Sequence, residues 1–283
     1  ALDDAVAGTF PASDAPAWNA THAGAPVARI VAPVPAPEAL RVPLRADLER
    51  LGEAPRSADE RRKVREDIVA RAMLASGHAV IREPVGGELM VRTLELTHFG
   101  SMHDASCVIV TARYDAVDAS GIAALLAIAR GLAPMDLVRS VRLVALPESG
   151  TRASAATTYA DRLARTGVSV RAMVSLERLD LARDHEEAEV LVVGDRASRD
   201  VVRLAERALQ RATRIAVHGV SLPSWVPGVG GSDNAAFWPY GWPAVKIAEG
   251  PLWWGRARET PDVDRIAALV PGLLAAVARL ADA

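Results

Sequence analysis

Cysteine is almost missing from this chain of 283 residues. The single Cys107 excludes an internal disulfide and any cysteine-rich metal site, and its place in an apolar run reads as core filler. No apolar run approaches the roughly 18 residues of a membrane helix. Charge of one sign is lacking too: 33 basic against 35 acidic residues give a formal net charge of -2, with no block of like charge. That balance offers no electrostatic basis for a nucleic-acid or anionic-membrane partner. The six histidines, His22, His78, His98, His103, His185 and His218, never stand at a ligand spacing such as H-E-x-x-H, and read as surface or loop residues. No G-x-S-x-G elbow supports a serine nucleophile, so Ser120, Ser149 and Ser232 read as helix caps. No basic segment followed by an apolar one opens the chain, which with the lone cysteine reads as cytoplasmic; because the first residue is Ala, a processed, secreted or periplasmic protein stays open.

What is present is ample material for a core, since 50% of the residues are hydrophobic. Residues 1–40, rich in Ala, Pro, Asp and Gly, read as an extended arm or linker that cannot bury enough apolar surface to offset its ordering entropy. Residues 41–283 read as one domain. Helical patterns fall at Leu44 to Leu51 and after a Ser57–Glu60 capping box, where Val64, Ile68 and Ala72 share a face. Ala79 to Ile81 and Leu89 to Leu96 read as strands around a Gly86-Gly87 turn.

The organising stretch is Cys107 to Arg130, CVIVTARYDAVDASGIAALLAIAR. Its apolar start reads as a strand buried on both faces, and its end as a helix from Ala119 capped by Asp118 or Ser120. Strand, polar turn and helix form the junction where open α/β sheets place their sites. Arg113, Tyr114, Asp115, Asp118 and Ser120 are the polar residues of that turn. Further strands at Val141 to Leu146, Ala172 to Leu176, Val190 to Val193, Ile215 to Val217 and Ala244 to Ala248 alternate with helices at Ala153 to Arg165, Ser198 to Arg211 and from Asp262, the last expected to kink at Pro271. This order predicts a three-layer α/β/α sandwich around a mixed, mostly parallel sheet.

Seven segments in order, VIVTARYD, DASGIAALLAIAR, VRLVALPES, TTYADRL, AMVSLERLD, GGSDNAAFWPYGWPAV and ETPDVDRI, resemble the co-catalytic zinc exopeptidases of metallopeptidase family twenty-eight, the bacterial leucyl aminopeptidases and glutaminyl cyclases. The resemblance spans about residues 44 to 283 and implies a single α/β/α domain. It also implies two zinc ions held by His and carboxylates, with a Glu as general base on a bridging water. Carried over position by position, that shell is largely missing. Arg113 stands at the first His ligand, Val117 at the bridging Asp with Asp118 next to it, and the Glu-Glu pair falls on Glu148-Ser149 or Ser149-Gly150. Glu177 keeps a ligand carboxylate; Ser232-Asp233-Asn234 replaces Ser-Asp-His; and the last His falls near Trp254 or Gly255 in a loop without His.

The resulting expectation is a metal-free relative that has lost hydrolysis and serves as a binding or scaffold domain, with Glu148 a relic general base. Arg113, Asp115, Asp118, Glu177, Ser232, Asp233, Trp253 and Trp254 are its candidate binding residues, with no cofactor and a peptide or protein partner at the relic cleft or an outer face. Arg113 is expected to fill the space of a lost metal and bond Glu177 or Glu148. The alternative is an active metallo-exopeptidase with an atypical carboxylate set drawn from Asp115, Asp118, Glu148, Glu177 and Asp233. The tryptophans crowded between Trp225 and Trp254 mark the rim of the pocket in the family resembled.

Overall fold

Strand β3 (Cys107–Arg113) alternates its side chains between two cores. Val108, Val110 and Ala112 enter a large cluster on one face of the sheet, and Cys107 and Ile109 a smaller one on the other. This double burial is what a continuous apolar run at the centre of a sheet requires. The computed structural model describes residues 34–55, 57–85, 88–102, 106–148, 154–180, 189–250 and 261–283.

Around β3 lie β1 (Val80–Val85), β2 (Glu88–His98), β4 (Val141–Leu146), β5 (Val170–Leu176), β6 (Val190–Gly194), β7 (Val217–Ser221) and β8 (Ala244–Glu249). They form an eight-stranded sheet in the order β1-β2-β4-β3-β5-β8-β6-β7. The neighbours β4-β3, β3-β5, β5-β8 and β6-β7 are parallel, whereas β1-β2, β2-β4 and β6-β8 are antiparallel. Helices α1 (Pro37–Gly52), α2 (Ala58–Leu74), α3 (Ser120–Leu132), α5 (Arg199–Ala212) and α6 (Val263–Asp282) contribute to the large core, and α4 (Ala155–Arg165) to the small one. The expected mixed sandwich is therefore the architecture observed.

Several local expectations are corrected. Helix α1 starts at Pro37, where its fixed φ and missing N–H suit the first turn, and Leu40 already reaches the core. Ser57 precedes α2, but its hydroxyl makes no capping bond, so the capping box does not form. On α2, Ile68 and Ala72 pack against the core as expected, but Val64 is exposed, and the fully buried stripe is Arg65, Glu66, Val69, Ala70 and Met73. Neither Ser120 nor Ser232 caps a helix through its hydroxyl. Helix α6, expected from about Asp262, starts at Val263 with Asp262 as its side-chain cap and runs to Asp282 with Pro271 inside it. The Gly86-Gly87 turn, His103 and Ser149 lie outside the described residues.

Cys107 is buried, and burial pushes its thiol pKa up, consistent with an inert core residue. Two of the histidines belong to the fold rather than to the solvent. His98 is buried, its Nε2 lies 2.9 Å from the Met135 carbonyl oxygen, and its Nδ1 lies 3.2 Å from His78 Nε2. A carbonyl only accepts, so Nε2 of His98 carries its proton.

Burial, and secondarily the neighbouring His78, hold His98 below the usual histidine pKa. The unfolded chain binds a proton at this residue near pH ~6.5 while the folded chain resists it, so stability should fall as the pH drops below that value. Thermal unfolding of the wild type and His98→Gln at pH 7.5 and pH 5.5 checks this: the wild type should lose more Tm over the interval than the variant.

Candidate functional site

The chain leaves β3 for β4 on one side through α3, then returns past it to β5 on the other through α4. This reversal opens a crevice at the carboxyl ends of the central strands. Arg113 ends β3, Glu148 follows β4 by two residues, and Glu177 directly follows β5. Asp233 begins a single 3-10 turn, Asp233–Ala236, and Lys246 lies within β8. Residues far apart in sequence meet because the switch point gathers the ends of their strands.

Arg113 spans the crevice. Its Nη2 donates to Asp233 Oδ1 at 2.9 Å and its Nε to the same oxygen at 3.3 Å, while Nη1 lies 3.5 Å from Glu148 Oε1. Burial works against the guanidinium charge, but Asp233, with Glu177 and Glu148 behind it, outweighs burial and holds the group more firmly protonated than a free arginine. Arg113 was expected to bond Glu177 or Glu148: it reaches Glu148, with Asp233 as its closer partner, while Glu177 Oε1 accepts from Ser175 Oγ at 3.0 Å and from Ser232 Oγ. Asp233 was not foreseen as the closer partner because the contact comes from a loop 120 residues along the chain.

Three of the site's ionisable groups are held away from their charged forms by burial. Desolvation, helped by Asp233, raises the Glu177 pKa; desolvation raises that of Asp118; and desolvation lowers that of Lys246. Lys246 is 4% exposed, donates from Nζ to the Gly228 carbonyl oxygen at 3.0 Å, and interacts with Glu177. Asp233 Oδ2 and both amide atoms of Asn234 are buried without a hydrogen-bond partner among the described residues. Among the described residues, Arg178, beside Glu177, is the non-glycine residue with positive φ, at 44°. Perturbed ionisation, orphaned polar atoms and a positive φ meet at this strand end, which marks it as a candidate site.

The remaining loop residues act as framework. Asp115 Oδ2 accepts from Arg62 Nε at 2.9 Å, and its Oδ1 accepts from the backbone N–H of Glu148, so it ties β3, α2 and the turn after β4 together. Asp118 Oδ1 accepts from the Ser120 N–H at 2.8 Å and caps α3. Ser120 Oγ accepts from the Leu179 N–H at 2.8 Å, anchoring the segment after β5. A Cβ on Gly121 would lie 2.4 Å from the Leu176 carbonyl oxygen, so only glycine allows α3 to start this close to β5. A cleft of about 280 Å³ results, bordered by Arg113, Val117, Asp118, Glu148, Glu177 and Arg178. A larger hollow of about 630 Å³ between α1, α2 and the start of α6 meets it at Val117.

A profile of Peptidase family M28 matches residues 97–278. The chain belongs to that family. Among solved structures, the LapA aminopeptidase of Legionella pneumophila is similar to it with a TM-score of 0.64 at 13% identity, over 89% of this chain and 76% of that one. Glutaminyl cyclase of Bacteroides thetaiotaomicron, solved with N-acetylhistamine, reaches 0.63 at 13% identity, over 87% and 99%. BSAP, a zinc aminopeptidase from Bacillus subtilis, reaches 0.53 at 17% identity, over 68% and 50%. Identities this low carry the fold and not the activity. No curated protein matches the sequence.

Within this M28 chain, Arg113, Glu148, Glu177, Ser232 and Asp233 come together, Asp118 borders the same cleft, and Asp115 braces it from behind. Trp253 and Trp254 lie outside the described residues. Of the other tryptophans, Trp225 is exposed, and Trp238 and Trp242 pack on the smaller core, with Trp238 Nε1 donating to the Ala244 carbonyl oxygen at 3.1 Å. Lys246 escaped the sequence reading, although a signal was there: the chain holds only two lysines, and this one interrupts the apolar run AVKIAE.

The Arg113–Asp233 contact can be weighed directly. Asp233 is 4% exposed and Arg113 about a third exposed, so removing either partner should cost ~1–3 kcal/mol, the price of a charge left without its hydrogen bonds. Urea unfolding of Arg113→Ala, Asp233→Ala and the double variant should show the double change costing less than the sum; strict additivity would mean that the two side chains are not coupled.

Proposed function

We propose that this M28 protein uses its cleft to bind a polar ligand such as a peptide end, and does not hydrolyse it. The supporting observation is that the site supplies its own cations. Zinc in the family resembled needs lone-pair donors from His and carboxylates around an open position. Arg113, at the place of the first His, offers only N–H donors and is locked onto Asp233 at 2.9 Å. Glu177, the carboxylate that remains, already accepts from two hydroxyls, and Asp118 accepts from the amide that starts α3. Among the described residues no three His, Cys, Asp or Glu side chains group as a metal site. These residues do not fit a pair of zinc ions.

Charge balance favours the same reading. A site stripped of metals but not of its carboxylates would hold buried anions without counter-charge, at several kcal/mol each. Here Arg113 faces Asp233 and Glu148, and Lys246 faces Glu177, so the cleft is close to neutral by itself. Behind Arg113, Asp233 Oδ2 and both amide atoms of Asn234 are buried without partners among the described residues, so the polar groups at this end of the sheet are not fully matched to one another. Glu148, 53% exposed, stands at the mouth and is suited to meet a cationic group such as a chain amine.

Metal analysis decides the question. The full chain, purified from zinc-supplemented medium, is expected to hold substoichiometric zinc and to leave chromogenic aminoacyl amides intact. Stoichiometric zinc, with hydrolysis abolished by a chelator, would overturn this reading in favour of an active exopeptidase with an atypical ligand set.

A further inference from the structure

Helix α5 carries arginines at every fourth position, Arg203, Arg207 and Arg211, and Arg279 of α6 faces them across a groove of about 350 Å³. Leu204 completes the lining with Asp200, its one acidic residue. Elsewhere many of the arginines are paired: Arg41 with Asp264, Arg82 with Glu66 and Asp67, Arg130 with Asp47, Arg142 and Arg162 with Glu95, and Arg265 with Glu249. None of the four groove arginines forms an ion pair or side-chain hydrogen bond among the described residues, and all four are exposed. Like charges at i, i+4 destabilise a helix, so although Arg211 suits the last turn, the repeat from Arg203 through Arg207 to Arg211 works against α5.

The walls are rigid. Helices α5 and α6 approach so closely that a Cβ on Gly272 would lie 2.9 Å from a Leu209 methyl, and the apolar stripe of α5, Val201, Val202, Ala205, Ala208 and Leu209, is buried. The guanidinium groups therefore project from a fixed frame, at intervals of about 6 Å along the helix axis. An extended peptide presents alternate side chains about 6.6–6.8 Å apart, a near match to that interval. A single-stranded nucleic acid would also match in charge, but such ligands bind by stacking bases on aromatic rings, and no aromatic residue lines the groove. The near-neutral chain, with a net charge of -2, favours a short acidic segment over a long polyanion.

We propose that the α5–α6 groove is a docking site for an extended acidic segment of a partner protein, with Asp or Glu at alternate positions. It shares no lining residue with the cleft and acts whatever the cleft binds. Each arginine can give a charge-assisted bidentate contact to a carboxylate.

The test is fluorescence anisotropy of the full chain with a labelled nine-residue peptide carrying Glu at every second position. The same spacing with Lys, the same Glu count in one block, and an oligothymidylate of equal charge serve as comparisons. The expected result is saturable binding of the alternating Glu peptide that weakens with salt, and at least a tenfold loss in the Arg203→Gln/Arg207→Gln/Arg211→Gln variant at unchanged Tm. A milder Arg279→Gln variant with a smaller loss provides a second reading if the triple variant unfolds. Equal binding by wild type and both variants, no binding of the alternating Glu peptide, or tighter binding of the oligothymidylate than of that peptide would overturn the proposal.

Discussion

The bond from Arg113 to Asp233 is the interaction on which the crevice depends. It joins the last residue of the central strand to a loop 120 residues further on, and it does so where the sheet reverses direction. The strand end is fixed by burial on both faces of the sheet, so the arginine has little freedom in where it emerges. The loop is held differently: Asp233 sits in a single 3-10 turn whose N-cap Ser232 makes no capping bond, with Phe237 just beyond it buried in the smaller core. The ion pair, together with the Ser232 hydroxyl on Glu177, holds that loop over the cleft. A guanidinium suits the task because its fork can hold one carboxylate with two N–H groups while a third reaches Glu148.

Two buried charge clusters in this molecule invite comparison. Glu95, 4% exposed, is met by Arg142 at 3.1 Å, Arg162 at 2.9 Å and the Tyr159 hydroxyl at 2.9 Å, so the carboxylate is well supplied with donors and the cluster braces β2 against β4 and α4. The site differs in degree. Glu177 and Lys246 are disfavoured in their charged forms by burial, Asp233 Oδ2 and the Asn234 amide behind it have no partner among the described residues, and Arg178 sits at positive φ. The Glu95 cluster carries burial strain of its own, since Arg142 Nε is buried without a partner among the described residues and burial drives the Tyr159 pKa up, but its carboxylate is met by three donors.

The fold was legible wherever double burial or strong amphipathicity left a periodic trace. Strand β4 falls on the residues its apolar run marks, and β3 and α3 differ from expectation by a residue or two at their ends. Helix α2 was harder, because its buried face carries Arg65 and Glu66, charged residues that periodicity assigns to solvent. Arg65 can be buried because the carbonyl oxygens of Leu51 and Ala116 accept its N–H groups, a tertiary fact that no local pattern encodes. The site was legible in part for the same reason. Resemblance brought Arg113, Glu148, Glu177 and Asp233 into view as a group, but it could not show which carboxylate the arginine would take, and it passed over Lys246, which matches no ligand position of the family.

Under the binding reading, the two fixed cations also explain why the change of function would be hard to reverse. A metal activates water because it can accept a lone pair at an open position and lower the pKa of what it holds. An arginine or a lysine can stabilise negative charge near it, but it offers donors only and cannot bind a water oxygen as a Lewis acid does. Restoring a ligand at position 113 alone would remove the counter-charge of buried Asp233 before any metal arrived to replace it, and supplying the metal first would set it against the guanidinium. Each single step is opposed by the charge already in place. Under that reading, any return to metal chemistry has to change several charges of the cleft together.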